Sequence, residues 1–249
     1  MDAAAYEMMA RNEDRHWWWS GRRAILTTLL EDLRAKGALP EGVLYDLGCG
    51  VGSNLPVLAR FGEAVGLDGS PLAVEAAHRL GRTGVRYADL ARGIESIADI
   101  PPASGAAVLM ADVLEHLDDE VPALDVARHL LKPGGVFIAT VPAFPMLWGP
   151  SDEFNHHRRR YTRGTLGAAV SKVFRVERMS YFNSALFPGV AVARALSRRL
   201  KRPGAEEIAL PPAPVNAALT RLFSAERHLL ARADLPFGVS LLCVARRVD

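Results

Sequence analysis

From residue 43 to residue 141 the chain alternates short apolar runs with longer stretches whose apolar residues recur three and four apart. The runs at 44–47, 64–68, 85–88, 106–110 and 136–141 have the length of buried strands, and the stretches between them have helical spacing, beginning with 51–60. Such alternation predicts a parallel sheet with crossover helices, on which ligands sit at the carboxyl ends of the strands near the point where strand order reverses. Residues 1–40 precede the first strand, and an amphipathic segment from Gly21 to Lys36, ending near Gly37, predicts a helical cap. The pattern loses its period between Pro142 and Arg163, then resumes as a helix at 165–173, a strand at 174–181 and a last strand at 241–244. Between those two strands lies an insertion, about 183–236, with two helical candidates separated by Pro211-Pro212-Ala213-Pro214. The expected division is therefore a cap at 1–40 and one α/β domain at 41–249 that contains the insertion.

The first run ends in a glycine series, Leu44-Tyr45-Asp46-Leu47-Gly48-Cys49-Gly50-Val51-Gly52. A buried strand that turns through Gly-x-Gly-x-Gly into a helix leaves the backbone free of Cβ atoms where helix N–H groups point outward, so a ligand can approach the main chain. The dinucleotide fingerprint has the same physics, but its spacing is Gly-x-Gly-x-x-Gly and its helix terminus faces a pyrophosphate. Asp46 would repel a pyrophosphate and attract an ammonium group, which argues against a nicotinamide dinucleotide and for a ligand carrying a cation.

At these residues the chain resembles the class I S-adenosylmethionine-dependent methyltransferases, whose first motif is an apolar strand with an acid followed by Gly-x-Gly-x-Gly. The later segments agree in order: Ala64-Val65-Gly66-Leu67-Asp68 followed by Gly69 and Ser70, a third strand before Asp89, Ala111-Asp112-Val113-Leu114-Glu115-His116-Leu117, and the turn Lys132-Pro133-Gly134-Gly135. The resemblance implies a Rossmann-like seven-stranded sheet of order 3-2-1-4-5-7-6 with the last strand antiparallel. It implies S-adenosyl-L-methionine as cofactor, bound by Asp46, Gly48, Cys49, Gly50 and Gly52, by Asp68, Gly69 and Ser70 at the ribose, by Asp89 and Leu90 at the adenine, and by Ala111, Asp112 and Val113 at the methionine end.

Composition narrows the function classes. A chain of 249 residues, 49% hydrophobic and 23% charged, suits one large domain with an added cap. A net charge of +2 is far from the density of a dedicated nucleic-acid binder, so no nucleic acid is expected as partner. Two cysteines, Cys49 and Cys243, make neither a disulfide framework nor a metal cluster, no signal peptide is visible, and a cytoplasmic setting is expected.

Three segments carry candidate acceptor chemistry. Glu115 and His116 follow the fourth strand, where His116 suits a general base and equally suits a packing role. The pair also resembles a sequence of ubiquinone-biosynthesis O-methyltransferases that contributes to a divalent-metal site, but no other spaced ligand set is visible, and no metal is expected. The segment Asp152-Glu153-Phe154-Asn155-His156-His157-Arg158-Arg159-Arg160-Tyr161-Thr162 is similar to one in a group of bacterial methyltransferases carrying His-x-Arg-Arg-Tyr-Thr. There His157, Arg159 and Tyr161 are expected to shape the acceptor pocket and bind an anionic group, with His157 and Tyr161 also candidate catalytic groups; a solvated basic turn is the competing reading. Neighbouring residues on a helix are rotated by about 100°, so Trp17, Trp18 and Trp19 cannot share one face, and Trp17 or Trp18 is expected over the cofactor or an apolar acceptor.

In the insertion, Leu186, Val190, Ala193, Leu196 and Leu200 recur at helical spacing while Arg194, Arg198, Arg199, Lys201 and Arg202 crowd the distal half. A basic amphipathic helix near 186–202 could contact an anionic membrane or pack as a lid. The reading as a whole is a methyltransferase acting on a small-molecule acceptor, by O- or N-methylation of an anionic or lipid-linked molecule. The alternative is a non-enzymatic protein on the same scaffold that binds S-adenosylmethionine or S-adenosylhomocysteine.

Overall fold

The computed structural model describes residues 10–200 and 209–249. Seven strands form one sheet: β1 (Val43–Leu47), β2 (Ala64–Asp68), β3 (Val85–Tyr87), β4 (Gly105–Ala111), β5 (Leu131–Pro142), β6 (Arg175–Phe182) and β7 (Ser240–Arg246). Their order is β3-β2-β1-β4-β5-β7-β6, with β7 antiparallel to both neighbours and the remaining pairs parallel, as the resemblance implies. Strand order reverses between β1 and β4, and the chain leaves these two strands in opposite directions, which opens a crevice at their carboxyl ends.

The helices, in chain order, are α1 (Trp17–Ala35), α2 (Leu55–Leu58), α3 (Pro71–Arg79), α4 (Val121–Leu130), α5 (Pro150–Phe154), α6 (Arg163–Val170), α7 (Phe187–Leu200) and α8 (Ala213–Leu230). Two local differences from the sequence expectation have simple causes. The helix expected at 51–60 is reduced to α2, because Gly48, Gly50 and Gly52 all take positive φ (69°, 57° and 79°) and the turn runs on through Asn54. Lys132-Pro133-Gly134-Gly135 lies at the start of β5 instead of ahead of it: α4 stops at Leu130, and Gly134 at φ 75° bends the chain into an irregular register with β4.

Side chains alternate across the strands, so each face of the sheet has its own core. Phe137, Ala139 and Val141 face one layer with Leu124 and Leu130 of α4, while Val136 and Ile138 face the other with Ile25, Leu26 and Leu30 of α1 and Phe223 and Leu230 of α8. Helices α1 and α8 thus form one layer against the sheet. At their join, Asn216 accepts from the amide of Trp17 at 2.9 Å and donates to the carbonyl of Arg15 at 2.8 Å, closing the start of α1. Phe223 is fully buried, stacks on Trp18 at 5.3 Å between ring centres and stands parallel to Phe182 at 6.1 Å.

Among the described residues no helix is long and apolar enough to cross a membrane. On α7, Val192 and Leu196 are exposed. The side chains of Arg198 and Arg199, and Lys201 and Arg202 entirely, lie outside the described residues, so most of the basic cluster expected there does too.

Replacing a fully buried aromatic by alanine costs about 3–5 kcal/mol through lost transfer energy and the cavity left behind. Phe223→Ala should lower the urea midpoint accordingly and shift tryptophan emission to the red, because Trp18 loses its stacking partner. An unchanged midpoint would mean that α1 and α8 do not share this core.

Candidate functional site

A cleft of about 840 Å³ opens over the carboxyl ends of the strands, within the range of small-molecule sites. One half is built on β1 and β2. There the three left-handed glycines let the backbone curl under the cleft, and a Cβ on Gly48 would lie 2.5 Å from Cγ2 of Val113. Asp68, at the end of β2, accepts from the amide of Gly50 at 2.7 Å and from that of Ser70 at 2.9 Å, tying the glycine turn to the start of α3. Asp89 accepts from the amide of Ala91 at 3.1 Å and borders the same half with Leu90.

Acids accumulate at this end without enough donors. Asp46 is fully buried and receives one bond, from Nδ2 of Asn54 at 3.1 Å, while its Oδ1, Oδ1 of Asn54 and Oε2 of Glu13 have no partner. Burial pushes the Asp46 carboxyl up to about 7 and raises Glu13 and Asp68 as well. These groups suit a ligand that brings a positive charge and donors of its own.

The residues expected at the cofactor do gather here. Gly48, Cys49, Gly50, Asp68, Gly69, Ser70, Asp89, Leu90, Ala111, Asp112 and Val113 all line the cleft; Asp46 and Gly52 sit behind that lining, with Asn54 between Asp46 and the open space. Trp17, Trp18 and Trp19 also border it, together with Arg22. Arg22 is a residue that sequence reasoning missed: its buried guanidinium makes a short ion pair with Asp112, which stands at φ 59° after β4 and also accepts from Oγ1 of Thr140 at 3.1 Å. No local pattern announces it, since 90 residues separate the partners.

The other half is built by Glu115, His116, the segment after β5, the end of β6 and α7. Its centre is Asp152, fully buried on α5. One carboxylate oxygen accepts from Nδ1 of His157 (2.9 Å) and Nε of Arg160 (2.8 Å), the other from the amide of Gly149 (2.8 Å) and Nη1 of Arg194 (2.7 Å). These donors hold its pKa well below the usual carboxylate range despite burial. Arg194 comes from α7 and also donates to Ser151 and to the carbonyl of Leu147, so the insertion helix is latched onto the segment that carries His157.

Of the residues expected to shape the acceptor pocket, His157 lines the cleft, whereas Arg159 and Tyr161 do not. Arg159 turns away from the cleft, donating to Glu120 and to the carbonyls of Leu117 and Asp118. Tyr161 is buried and does not line the cleft; its hydroxyl donates to Glu120 at 2.8 Å and lies 3.1 Å from the carbonyl of Leu114, and burial and the Glu120 carboxylate raise its pKa. The arginine of this segment that lines the cleft is Arg160, one position on from Arg159. An extended segment alternates its side chains, and here Arg160 is the one aimed at Asp152.

His116 and His157 meet edge to face at 4.7 Å, and Glu115 is fully buried with neither carboxylate oxygen bonded. One donor atom from each of Glu115, His116 and His157 lies within 4.8 Å of the others, a trio of the kind that holds a divalent cation. The spacing of 115, 116 and 157 hides this set from the sequence, where no ligand set was expected. Burial, and then the neighbouring His157 ring, lower the His116 pKa to about 3, so His116 stays neutral.

Residues 45–139 match the family model described as methyltransferase domain. The ubiquinone biosynthesis O-methyltransferase of Serratia proteamaculans is 34% identical over 47% of this chain and 49% of its own length, and that of Xanthomonas campestris is 31% identical over 51% and 57%. This chain thus spans about half the length of the curated relatives it matches. Among solved structures, an S-adenosylmethionine-dependent methyltransferase of Archaeoglobus fulgidus superposes with a TM-score of 0.52 at 18% identity, covering 88% of this chain and 93% of that one. One from Mesorhizobium loti gives 0.52 at 21%, covering 87% and 96%.

Removing one partner from a buried ionic cluster leaves uncompensated charge and costs about 3–5 kcal/mol. Asp152→Ala strands Arg160 and Arg194 together and should lower the melting temperature by several degrees, seen in thermal circular dichroism. Asp152→Asn should lose less, because the amide keeps an acceptor oxygen; equal stability of both variants to the parent would contradict the role given to this carboxylate.

Proposed function

We propose that this chain, a member of the class I S-adenosylmethionine-dependent methyltransferases, binds S-adenosylmethionine over the glycine turn and transfers its methyl group to a small-molecule acceptor. The observation that carries the reading is the set of unpaired buried atoms beside the turn, Glu13 Oε2, Asp46 Oδ1 and Asn54 Oδ1, next to a carboxylate, Asp68, that already faces the cleft. When bound, the cofactor supplies an electrophilic methyl group on a positively charged sulfur. Asp68 is placed for ribose hydroxyls, Asp89 and Leu90 for the adenine, and Glu13, Asn54 and Arg22 for the charged ends of an amino acid moiety.

The residues at the opposite end position an acceptor and handle its proton. Methyl transfer to oxygen or nitrogen needs the nucleophile held in line and, where it is protonated, a group that takes the proton. His157 fits that task. Asp152 engages Nδ1, which directs the other ring nitrogen to the acceptor side and steadies the ring once it becomes charged. His116 supports the contact as a neutral ring. The tryptophans of α1 and the helix α7 cover the cleft and keep water from the reacting groups. Two buried cysteines without a disulfide are in keeping with a reducing cytoplasm.

Calorimetric titration with S-adenosylmethionine and with S-adenosylhomocysteine tests the cofactor. Both should bind with micromolar affinity, and Asp68→Ala should weaken each by about tenfold or more, the worth of hydrogen bonds to a charged group. Absence of binding by either would refute the reading.

His157→Ala should lower kcat for transfer of labelled methyl to a small-molecule extract by about a hundredfold or more, with cofactor affinity intact, as expected for loss of a general base. His116→Ala should cost less. Cofactor binding with no turnover of any extract by the parent protein would favour the non-enzymatic reading instead.

A further inference from the structure

Asn183 closes β6 and is the most unusual polar residue in the cleft. Its backbone is left-handed, at φ 57°, and it is 1% exposed. The turn is held from outside by Glu226 of α8, whose carboxylate accepts from the amides of Asn183 (2.6 Å) and Ala185 (2.8 Å). Asparagine is tolerated at such a φ because its side chain can bond locally, yet here neither Oδ1 nor Nδ2 makes a hydrogen bond. Glycine would serve the turn with less strain and no orphaned amide. A buried amide without a partner is costly, and the backbone draws nothing from it.

Its surroundings indicate the chemistry it would meet. Ala143, after β5, bonds through its amide to Val239, and the amide of Val239 reaches the carbonyl of Asn183. The carbonyl of Ala143 in turn accepts Nη1 of Arg160 at 2.9 Å, so a chain of hydrogen bonds through Val239, just ahead of β7, joins Asn183 to Arg160, and both line the same cleft. Nε and Nη1 of Arg160 are engaged and its Nη2 is not. Around them two guanidinium groups, Arg160 and Arg194, share the single carboxylate of Asp152, both of whose oxygens are fully used.

We propose that Asn183 and Arg160 form an anion subsite that orients the acceptor through a carboxylate or phosphate group, with the carboxamide Nδ2 and the guanidinium Nη2 as donors. This rests on the methyltransferase reading, which makes this half of the cleft the acceptor end. The subsite separates two tasks: His157 takes the acceptor's proton, while Asn183 and Arg160 grip an anionic group elsewhere on the same molecule. The insertion contributes twice, Glu226 fixing the Asn183 turn and Arg194 latching the Arg160 segment.

The test uses the full chain saturated with S-adenosylhomocysteine, titrated calorimetrically with four probes of similar size: benzoate, phenyl phosphate, benzylamine and benzyl alcohol. At least one of the two anions should bind about tenfold or more tightly than the amine or the alcohol, and which anion binds better identifies the acceptor's group as carboxylate or phosphate. Asn183→Asp keeps the shape and tolerates the left-handed turn but places a negative charge beside the anion, so it should weaken anion binding by about tenfold or more. Asn183→Gly relieves the backbone and removes only the carboxamide; it should weaken anion binding by about threefold to tenfold with an equal or higher melting temperature. Affinity for S-adenosylhomocysteine should be unchanged in both variants. Failure of S-adenosylhomocysteine to bind would overturn the methyltransferase reading and this subsite with it. Normal binding of it, combined with no anion binding, with preference for benzylamine (as expected if Glu115 instead held a cation), or with anion affinity indifferent to Asn183→Asp, would overturn the subsite alone.

Discussion

A polar group taken out of water must find a partner inside the protein or leave a cost that only a ligand can relieve, and this constraint shapes the cleft from end to end. At the cofactor end, Asp68 satisfies it through the amides of Gly50 and Ser70, and in doing so fixes the glycine turn against the start of α3. Asp46, Asn54 and Glu13 satisfy it only in part. Their open atoms surround the turn whose left-handed glycines already bring the backbone close to the cleft. The residues left under-bonded by the chain itself are those that a ligand with an ammonium and hydroxyl groups would complete.

Asp152 is the opposite case. Four donors saturate its two oxygens, and each comes from a different part of the cleft wall: the turn before α5, the ring of His157, the guanidinium of Arg160 and the insertion helix through Arg194. A buried carboxylate with this many partners is rigid, and rigidity here serves position. His157 is held by Nδ1, Arg160 by Nε, and α7 cannot lift without breaking the bonds of Arg194 to Asp152, Ser151 and Leu147. The acceptor end is therefore pre-organised by one carboxylate, while Glu115 and Asn183 beside it remain unpaired.

How much of this was legible in the sequence follows from the range of the interactions. The strands, their order and the cofactor-end residues were readable because each motif is a strand running into its own turn: Asp68 with Ser70, Gly48 to Gly52, Asp89 with Ala91. The acceptor end depends on contacts between distant segments. His157 approaches His116 across 41 residues of chain and Arg194 reaches Asp152 across 42, so neither pairing has a local signature. Reading Arg159 for Arg160 was a one-residue error in an extended segment, where each step reverses the side chain. Asn183 carried one usable signal, an asparagine followed by serine at the end of a predicted strand, which favours a left-handed turn. Its unpaired carboxamide could be known only from the packing of Glu226 and Val239 around it. The packing of α1 on α8 was hidden for the same reason, since Asn216 and Phe223 meet α1 from the far end of the chain.

The match to the family model ends at residue 139, inside β5, and the residues proposed for the acceptor, except Glu115 and His116, lie beyond it. That boundary has a physical meaning. Cofactor binding requires one electrostatic arrangement around a common turn, and a βαβ unit can supply it from short-range pairs. Acceptor binding requires a wall matched to a particular molecule, and in the proposed reading that wall is the segment after β5, the turn at Asn183 and the helix α7, all fixed by buried charges on other elements. A change of acceptor would therefore call for changes in Asn183, Arg160 or α7 without disturbing the glycine turn, because no hydrogen bond described above links Asp68 or Asp46 directly to the Asp152 cluster. The two halves meet at Asp112, where Arg22 of α1 and Thr140 of β5 hold one carboxylate between them. In the proposed reading, that residue lies between the methyl donor and the acceptor.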